Sequence, residues 1–199
     1  VKLAELPRKK QKVERRVLTV QEQELFFQYS KESYLNNLFA LMVRTGMRSG
    51  EARGLKFSDI DSKNNVIHIR RTVKYETGRG FFEDAPKTSS SMRDIPATPE
   101  IMSIIEAQRK INREYSNVVS IDEYIFHLPE GTPISRERVQ AEIDRILKKI
   151  NETGSHVERF TSHCFRHTFA TRAIEAGMQP QTLKTILGHS SLSMTMDLY

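Results

Sequence analysis

The sequence is poor in cysteine and contains no long apolar run. Its one cysteine, Cys164, cannot form an internal disulfide, which excludes a disulfide-stabilised module and favours a reducing, cytoplasmic location. No apolar stretch approaches the roughly 20 residues that a membrane-spanning helix needs. The first residues, VKLAELPRKKQK, also lack the apolar segment of a secretory signal. We therefore expect a protein that has no membrane partner.

Net positive charge is small as well, except at the start of the chain. The formal net charge is +6 over 199 residues. Residues 1–16 hold seven Lys and Arg against two Glu, so the rest of the chain is nearly neutral. We predict that residues 1–17, which include Pro7, form a basic interdomain linker and that the folded part spans 18–199. The basic run fits either a solvated tail or an arm that follows the phosphates of a polyanion, through Arg8, Lys9, Lys10 and Lys12.

The apolar periodicity predicts an α+β fold that is mainly α-helical, with one small antiparallel sheet of about three strands. Helix starts are indicated by the capping box Thr19-x-x-Glu22 and by Ser135. Residues 65–96 are rich in β-branched side chains separated by turn clusters, which favours the sheet. The last third of the chain is helical in pieces, one of which closes at Gly188.

Three basic side chains fall on one face of a predicted helix. His163, Arg166 and His167 are spaced at i, i+3 and i+4. A zinc site is one alternative, with Cys164 and His189 as further ligand types. The segment lacks the glutamate of a metalloprotease helix, and on a helix Cys164 points roughly 100° away from His163, so we expect no metal. Ordinary capping and packing roles are the other alternative.

Two further residues suggest chemistry on a phosphodiester. Arg48 follows Gly46 at a turn between two predicted helices, where its side chain can project into a cleft, although a surface ion pair with Glu51 is an alternative. Tyr199 lies ten residues after His189 in LGHSSLSMTMDLY. A phenol, two guanidiniums and two imidazoles can together attack a phosphodiester and stabilise its charge without a metal.

Four segments together resemble the catalytic domain of the tyrosine recombinases, most of all the integrases of temperate phages and conjugative transposons. They occur in the family's order, and the likeness runs from about residue 17 to the end: TGMRSGEARGLKFSDID, PKTSSSMRDIP, HCFRHTFATRAIEAGM and ILGHSSLSMTMDLY. By this resemblance the catalytic residues are Arg48, Lys87, His163, Arg166, His189 and the nucleophile Tyr199. Every one of these positions holds the residue type that the family uses.

The resemblance also implies an activity and partners. It implies a site-specific recombinase, or integrase, that cleaves and rejoins DNA strands through a covalent 3′-phosphotyrosyl intermediate, without metal, ATP or another cofactor. The partners would be double-stranded DNA attachment sites and further protomers, which assemble as a tetramer in this family. Family members carry a core-binding domain before the linker, and we expect that domain to be missing from this sequence.

The reaction makes demands that these side chains can meet. A free tyrosine has a pKa of about 10, so only about one in 10³ is ionised at pH 7, a deficit of about 4 kcal/mol. His163 is the better candidate for the general base, and His189 for a hydrogen bond to the phosphate. The leaving 5′-oxygen needs a proton, which Lys87 on its turn can supply. Lys74 is a rival for that role.

Two other functions stay open at this point. A type IB topoisomerase uses the same chemistry but relaxes supercoiled DNA as a monomer. A non-catalytic helical DNA-binding module would use residues 163–187 as a helix-turn-helix, with Arg172 and Lys184 reaching the DNA. Convergence of Arg48, Arg166 and Tyr199 on one cleft would favour catalysis over such a module.

Overall fold

The structure is a computed structural model that describes residues 16–84, 92–115 and 122–196. Its helices are α1 (Val20–Ser30), α2 (Asn36–Thr45), α3 (Ser49–Arg53), α4 (Pro99–Tyr115), α5 (Arg136–Glu152), α6 (His163–Glu175), α7 (Pro180–Leu187) and α8 (Leu192–Met196). Its strands are β1 (Ile60–Asp61), β2 (Val66–Ile69), β3 (Thr72–Glu76), β4 (Gly80–Asp84) and β5 (Arg93–Pro96). The fold is mainly helical with small antiparallel sheets, so the predicted fold class is confirmed.

Local sequence signals set the helix ends as predicted. The Thr19 hydroxyl accepts a hydrogen bond from the Glu22 amide at 3.1 Å, and the Glu22 carboxylate accepts one from the Thr19 amide at 2.9 Å. Helix α2 ends at Gly46, whose φ of 65° is in the left-handed region. A Cβ atom at Gly46 would also lie 2.5 Å from a ring carbon of Phe169, so glycine is needed there for space as well.

The strands form two sheets rather than the single one expected. Strands β1, β2 and β5 make a three-stranded antiparallel sheet, and β3 and β4 make a separate two-stranded hairpin. The hairpin packs on α3 through two glycines. A Cβ on Gly50 would lie 2.3 Å from the Thr72 hydroxyl, and one on Gly54 would lie 3.1 Å from a methyl of Val73. Strand propensity does not predict this contact between β3 and α3. In the fold, β3 packs on α3 and pairs with β4 rather than with β2.

The core places the end of α2 beside α6. Phe26 of α1 lies with its ring centroid 5.4 Å from that of Phe39 and 5.5 Å from that of Phe165, and those two centroids are 5.6 Å apart. Phe160 joins them at 5.4 Å from Phe26. Because these rings are buried and contact each other edge to face or tilted, they fix α1, α2 and α6 as one unit. The turn after α2, which carries Arg48, is therefore held close to the first turns of α6.

In the part of the chain that the structure describes, no helix combines the length and apolarity needed to cross a membrane.

Candidate active site

Helix α6 presents its basic residues as the spacing predicts. The rings of His163 and His167 meet at nearly a right angle, with centroids 4.6 Å apart. Between them along the chain, Arg166 is 2% exposed, and its guanidinium joins two other elements. One terminal nitrogen donates to the carbonyl of Gly46 at 2.8 Å and the other to the carbonyl of Leu187 at 2.7 Å. Arg166 therefore binds the end of α2 to the end of α7.

Arg48 lies at the N-terminal cap of α3 and reaches the same end of α7. Its Nη1 donates to Glu51 Oε1 at 2.8 Å and its Nη2 to the carbonyl of Gly188 at 3.3 Å. Its backbone amide donates to the other oxygen of Glu51 at 2.8 Å. The ion pair that the sequence offered as a surface alternative is thus present, but Glu51 is buried, so it is not a surface pair.

A third arginine, Arg93, belongs to the same group and was missed by the sequence reasoning. Its two terminal nitrogens bind the two oxygens of Glu51, at 3.0 Å and 2.8 Å, and its Nε donates to the carbonyl of Ile186. Its side chain is only 3% exposed. The alternation of β5 contained the signal, because a period of two places Arg93 on the same face as the buried Ile95.

The three guanidiniums meet on three consecutive carbonyl groups. Ile186, Leu187 and Gly188 accept from Arg93, Arg166 and Arg48, respectively. The last carbonyls of a helix have no partner within it and carry a partial negative charge, so cations are favoured there. We call Arg48, Glu51, Arg93 and Arg166 the arginine cluster; through it, the end of α7 is bound to α3, β5 and α6.

The arginine cluster has an excess of positive charge. Burial lowers the pKa of Arg166 to about 9, with Arg48 and Arg93 acting in the same direction and Glu51 opposing them, so Arg166 is still charged at pH 7. Burial alone would raise the pKa of Glu51, but Arg93 and then Arg48 outweigh it and lower the value. Three cations therefore surround one carboxylate, which makes the cluster suited to an added anion.

His189 connects α7 to α8. It is the residue after Gly188, it is buried, and its Nδ1 lies 2.9 Å from the hydroxyl of Thr195, a fully buried residue of α8. Its backbone amide donates to the carbonyl of Lys184 at 3.1 Å. The imidazole is therefore fixed directly beside the carbonyls that the arginine cluster binds.

Several predicted site residues lie outside the described residues. They are Lys87, Tyr199 and the basic residues Arg8, Lys9, Lys10 and Lys12. The rival lysine, Lys74, lies on β3 and its ammonium group pairs with Asp84 of β4. Arg16, which the sequence assigned to the linker, binds Glu22 and Glu158 at 2.7 Å each.

The geometry argues against both alternative uses of the last third of the chain. Burial raises the pKa of the Cys164 thiol to about 11, and this thiol donates to the carbonyl of Arg16 at 3.1 Å. The thiol thus has a backbone partner in this fold. Arg172, which a helix-turn-helix would direct at DNA, donates to the carbonyl of Leu18 at 3.2 Å instead.

Comparisons with known proteins identify relatives along nearly the whole chain. The model of the phage integrase family matches residues 16–199. The transposase of transposon Tn916 from Enterococcus faecalis is 29% identical over 94% of the chain and 48% of its own length. An XerC-like tyrosine recombinase from Caldanaerobacter subterraneus is 30% identical over 95% of the chain and 51% of its own length. The chain thus spans about half the length of the curated relatives it matches.

A solved structure has the same fold. The integrase of transposon Tn1549, solved in complex with circular intermediate DNA, superposes with a TM-score of 0.84 at 30% identity. The match covers 93% of this chain and 61% of that one.

Proposed function

Because the chain belongs to the phage integrase family, we propose that it is the catalytic part of a site-specific tyrosine recombinase. Its substrate is double-stranded DNA at attachment sites, which it cleaves and rejoins in the cytoplasm. The observation that carries this proposal is the convergence of three guanidiniums on the end of α7, directly before His189. The DNA-bound structure of the Tn1549 integrase supports the choice of substrate.

The arginine cluster provides the charge that phosphoryl transfer requires. In the pentacoordinate transition state, negative charge spreads over the non-bridging oxygens of the scissile phosphate. Arg48 and Arg166 are placed to bind those oxygens, since a guanidinium has more N–H groups than their present bonds use. Guanidiniums fixed by protein carbonyls need no reorganisation when the charge develops. The proposed chemistry therefore uses no metal ion, ATP or other cofactor.

The cleavage step balances with the remaining site residues. The phenolic oxygen of Tyr199 attacks the phosphorus and gives its proton to His163, forming the O–P bond while the bond from phosphorus to the 5′-oxygen breaks. The leaving oxygen takes a proton from Lys87, and His189 donates a hydrogen bond to the phosphate. The 3′-phosphotyrosyl bond conserves the phosphodiester, so a 5′-hydroxyl of another strand can reverse the step and rejoin the DNA.

Residues 1–17, of which 1–15 lie outside the described part, and further protomers complete the proposal. Residues 1–17 would serve as the linker to a core-binding domain and follow DNA phosphates through Arg8, Lys9, Lys10 and Lys12. Recombination would bring four protomers together on two attachment sites. Binding by the basic arm should weaken steeply with salt, because each neutralised phosphate releases counterions.

A suicide DNA substrate tests the proposal. In such a substrate the strand next to the cleavage site is nicked, so the freed fragment diffuses away and the covalent adduct accumulates. The intact protein should form an adduct that maps to Tyr199, and Tyr199→Phe should form none while binding DNA as the wild type does. If Tyr199→Phe formed adducts at wild-type levels, Tyr199 would not be the nucleophile. Relaxation of supercoiled plasmid without recombination between attachment sites would indicate a topoisomerase instead.

A further inference from the structure

We propose that Arg93 is a positioning residue for DNA cleavage, which sets the place of Arg48 through Glu51 and that of His189 through the end of α7. The inference rests on the proposed function. Arg93 itself contacts neither the phosphate nor the nucleophile in this scheme. It acts by holding the groups that do.

The first contact of Arg93 fixes the Glu51 carboxylate. Its terminal nitrogens bind both oxygens of Glu51, at 3.0 Å and 2.8 Å. Those same oxygens hold Arg48, one through the guanidinium and the other through the backbone amide, at 2.8 Å each. The orientation of the carboxylate therefore sets both the backbone position of Arg48 and the direction of its side chain.

The second contact fixes the turn that carries His189. The Nε of Arg93 donates to the carbonyl of Ile186, in the last turn of α7 and three residues before His189. Arg93 is itself held in the sheet, because it pairs with Ile69 of the neighbouring strand. The Arg93 side chain thus connects the three-stranded sheet to Arg48, through Glu51, and to His189, through the end of α7.

The charge balance around Glu51 supports the same role for Arg93. With Arg93 present, Glu51 is shared between two guanidiniums, and the cluster holds three positive charges against one negative. If Arg93 were moved, the buried carboxylate would be left to Arg48 alone and would compete with DNA for it. A lysine keeps the charge but cannot span both carboxylate oxygens and a carbonyl with one planar fork.

The test compares Arg93→Lys on two suicide substrates, in the intact protein. One has the natural phosphate at the cleavage site, and the other has a methylphosphonate, in which a methyl group replaces a charged oxygen. Misplaced guanidiniums impair cleavage mainly where that charge must be stabilised. We expect Arg93→Lys to slow single-turnover cleavage of the natural phosphate by about 10- to 100-fold and that of the methylphosphonate by less than about threefold, with DNA affinity kept.

Arg53→Lys is the matched control. Arg53 is also a buried arginine, but among the described residues it donates to two backbone carbonyls, those of Ile134 at 2.8 Å and Val73 at 3.1 Å. Its substitution should lower the melting temperature and change both cleavage rates by the same factor. If Arg93→Lys also slows both substrates equally, or slows neither, Arg93 is only structural and the inference is wrong.

A second variant keeps the inference testable if Arg93→Lys fails to fold. Glu51→Gln removes the carboxylate whose two oxygens hold both Arg93 and Arg48, so Arg48 loses its orientation and the variant should show the same selective loss on the natural phosphate. Where both variants fold, their combination should lose less than the product of the two separate effects. A wild-type protein that forms no adduct on either substrate would reject the proposed function and this inference with it. A wild type that cleaves, with variants that show no selectivity, would reject the inference alone.

Discussion

The arginine cluster differs in charge balance from a second charged group at the base of the β3–β4 hairpin. We call that second group the hairpin cluster; it consists of Lys56, Arg71, Asp59, Glu83 and Asp122. The Lys56 ammonium lies 2.7 Å from both Glu83 and Asp122, and the Tyr124 hydroxyl donates to Glu83 at 2.6 Å. Two cations there face three carboxylates, whereas three cations face one carboxylate in the arginine cluster.

This difference separates a structural role from a chemical one. In the hairpin cluster every positive charge is matched, so it can hold the hairpin but has no excess charge to offer an anion. Burial lowers the pKa of Lys56, but its bonds to Asp122 and Glu83 outweigh that and raise it. In the arginine cluster the excess is positive, and carbonyl groups rather than a carboxylate hold one of its guanidiniums, that of Arg166, in place. An ion-pair network is thus a candidate phosphate site only when its cations outnumber its anions.

The largest effect is expected from Arg166→Lys, which removes a guanidinium from the arginine cluster. A lysine keeps the charge but loses the fork that spans the carbonyls of Gly46 and Leu187. We expect single-turnover cleavage of a suicide substrate to fall by about 10²- to 10³-fold. Arg159→Lys is the control, because Arg159 is an exposed arginine paired with Asp144. Cleavage by Arg166→Lys within tenfold of wild type would contradict the role of Arg166.

An intermediate effect is expected from Glu51→Gln, measured as the free energy of unfolding against pH. Removing one partner of a buried ion pair costs about 3 kcal/mol, so the variant should be less stable at pH 7 by about that amount. The pKa of Glu51 lies below its ordinary 4.5, since Arg93 and Arg48 outweigh the burial that would raise it. The stabilisation is therefore complete above about pH 4.5 and is lost as the pH falls through the lower, folded value.

The difference in the free energy of unfolding between wild type and Glu51→Gln should accordingly become smaller at acidic pH. Chemical denaturation at a series of pH values from 7 to 3 measures it. Glu158→Gln, at a mostly exposed carboxylate, should show little difference at any pH. A gap for Glu51→Gln that stays constant down to pH 3 would mean that its stabilisation is not due to charge.

The smallest effect is expected from Lys56→Met in the hairpin cluster. Methionine keeps most of the side-chain volume and removes the bonds to Glu83 and Asp122, which are themselves partly exposed. The melting temperature should fall by about 2–4 °C, as for the loss of a modest ion pair in a domain of this size. Cleavage per folded molecule should not change. A cleavage loss as large as that of Arg166→Lys would contradict the purely structural role of the hairpin cluster.

Local signals in the sequence predict the helix ends and the basic face of α6. Thr19, Gly46 and Ser135 act on their own neighbours, so the chain around each of them is enough to identify their roles. The resemblance to tyrosine recombinases supplied the family, which the comparisons confirm. The roles assigned to all six candidate catalytic residues remain predictions, and two of them, Lys87 and Tyr199, lie outside the described residues.

Contacts between distant parts of the chain could not be predicted in the same way. From the sequence, Glu51 looks like a surface partner of Arg48 because the two are three residues apart. In the fold, however, Glu51 is buried and also pairs with Arg93 of β5. Arg93 lies within PKTSSSMRDIP, the segment in which the resemblance points to Lys87, and the resemblance assigns Arg93 no role. The packing of β3 against α3 requires the small size of Gly50 in α3 and of Gly54 directly after it. The partners of Glu51 and the separation of the strands require packing between elements that no local pattern encodes, whereas for Arg93 the alternation of β5 indicates burial but not the partner.

The three carbonyls at the end of α7 have a consequence for how the protein folds. Two of their three guanidinium partners come from far along the chain, 140 residues away for Arg48 and 93 residues away for Arg93. Contacts between residues so distant form slowly, because the long intervening loop must first lose its conformational freedom. During synthesis, the arginines therefore emerge long before their acceptors exist. The anion-binding charge can assemble only after residue 188 has left the ribosome, so a truncated product would carry the arginines without a working site.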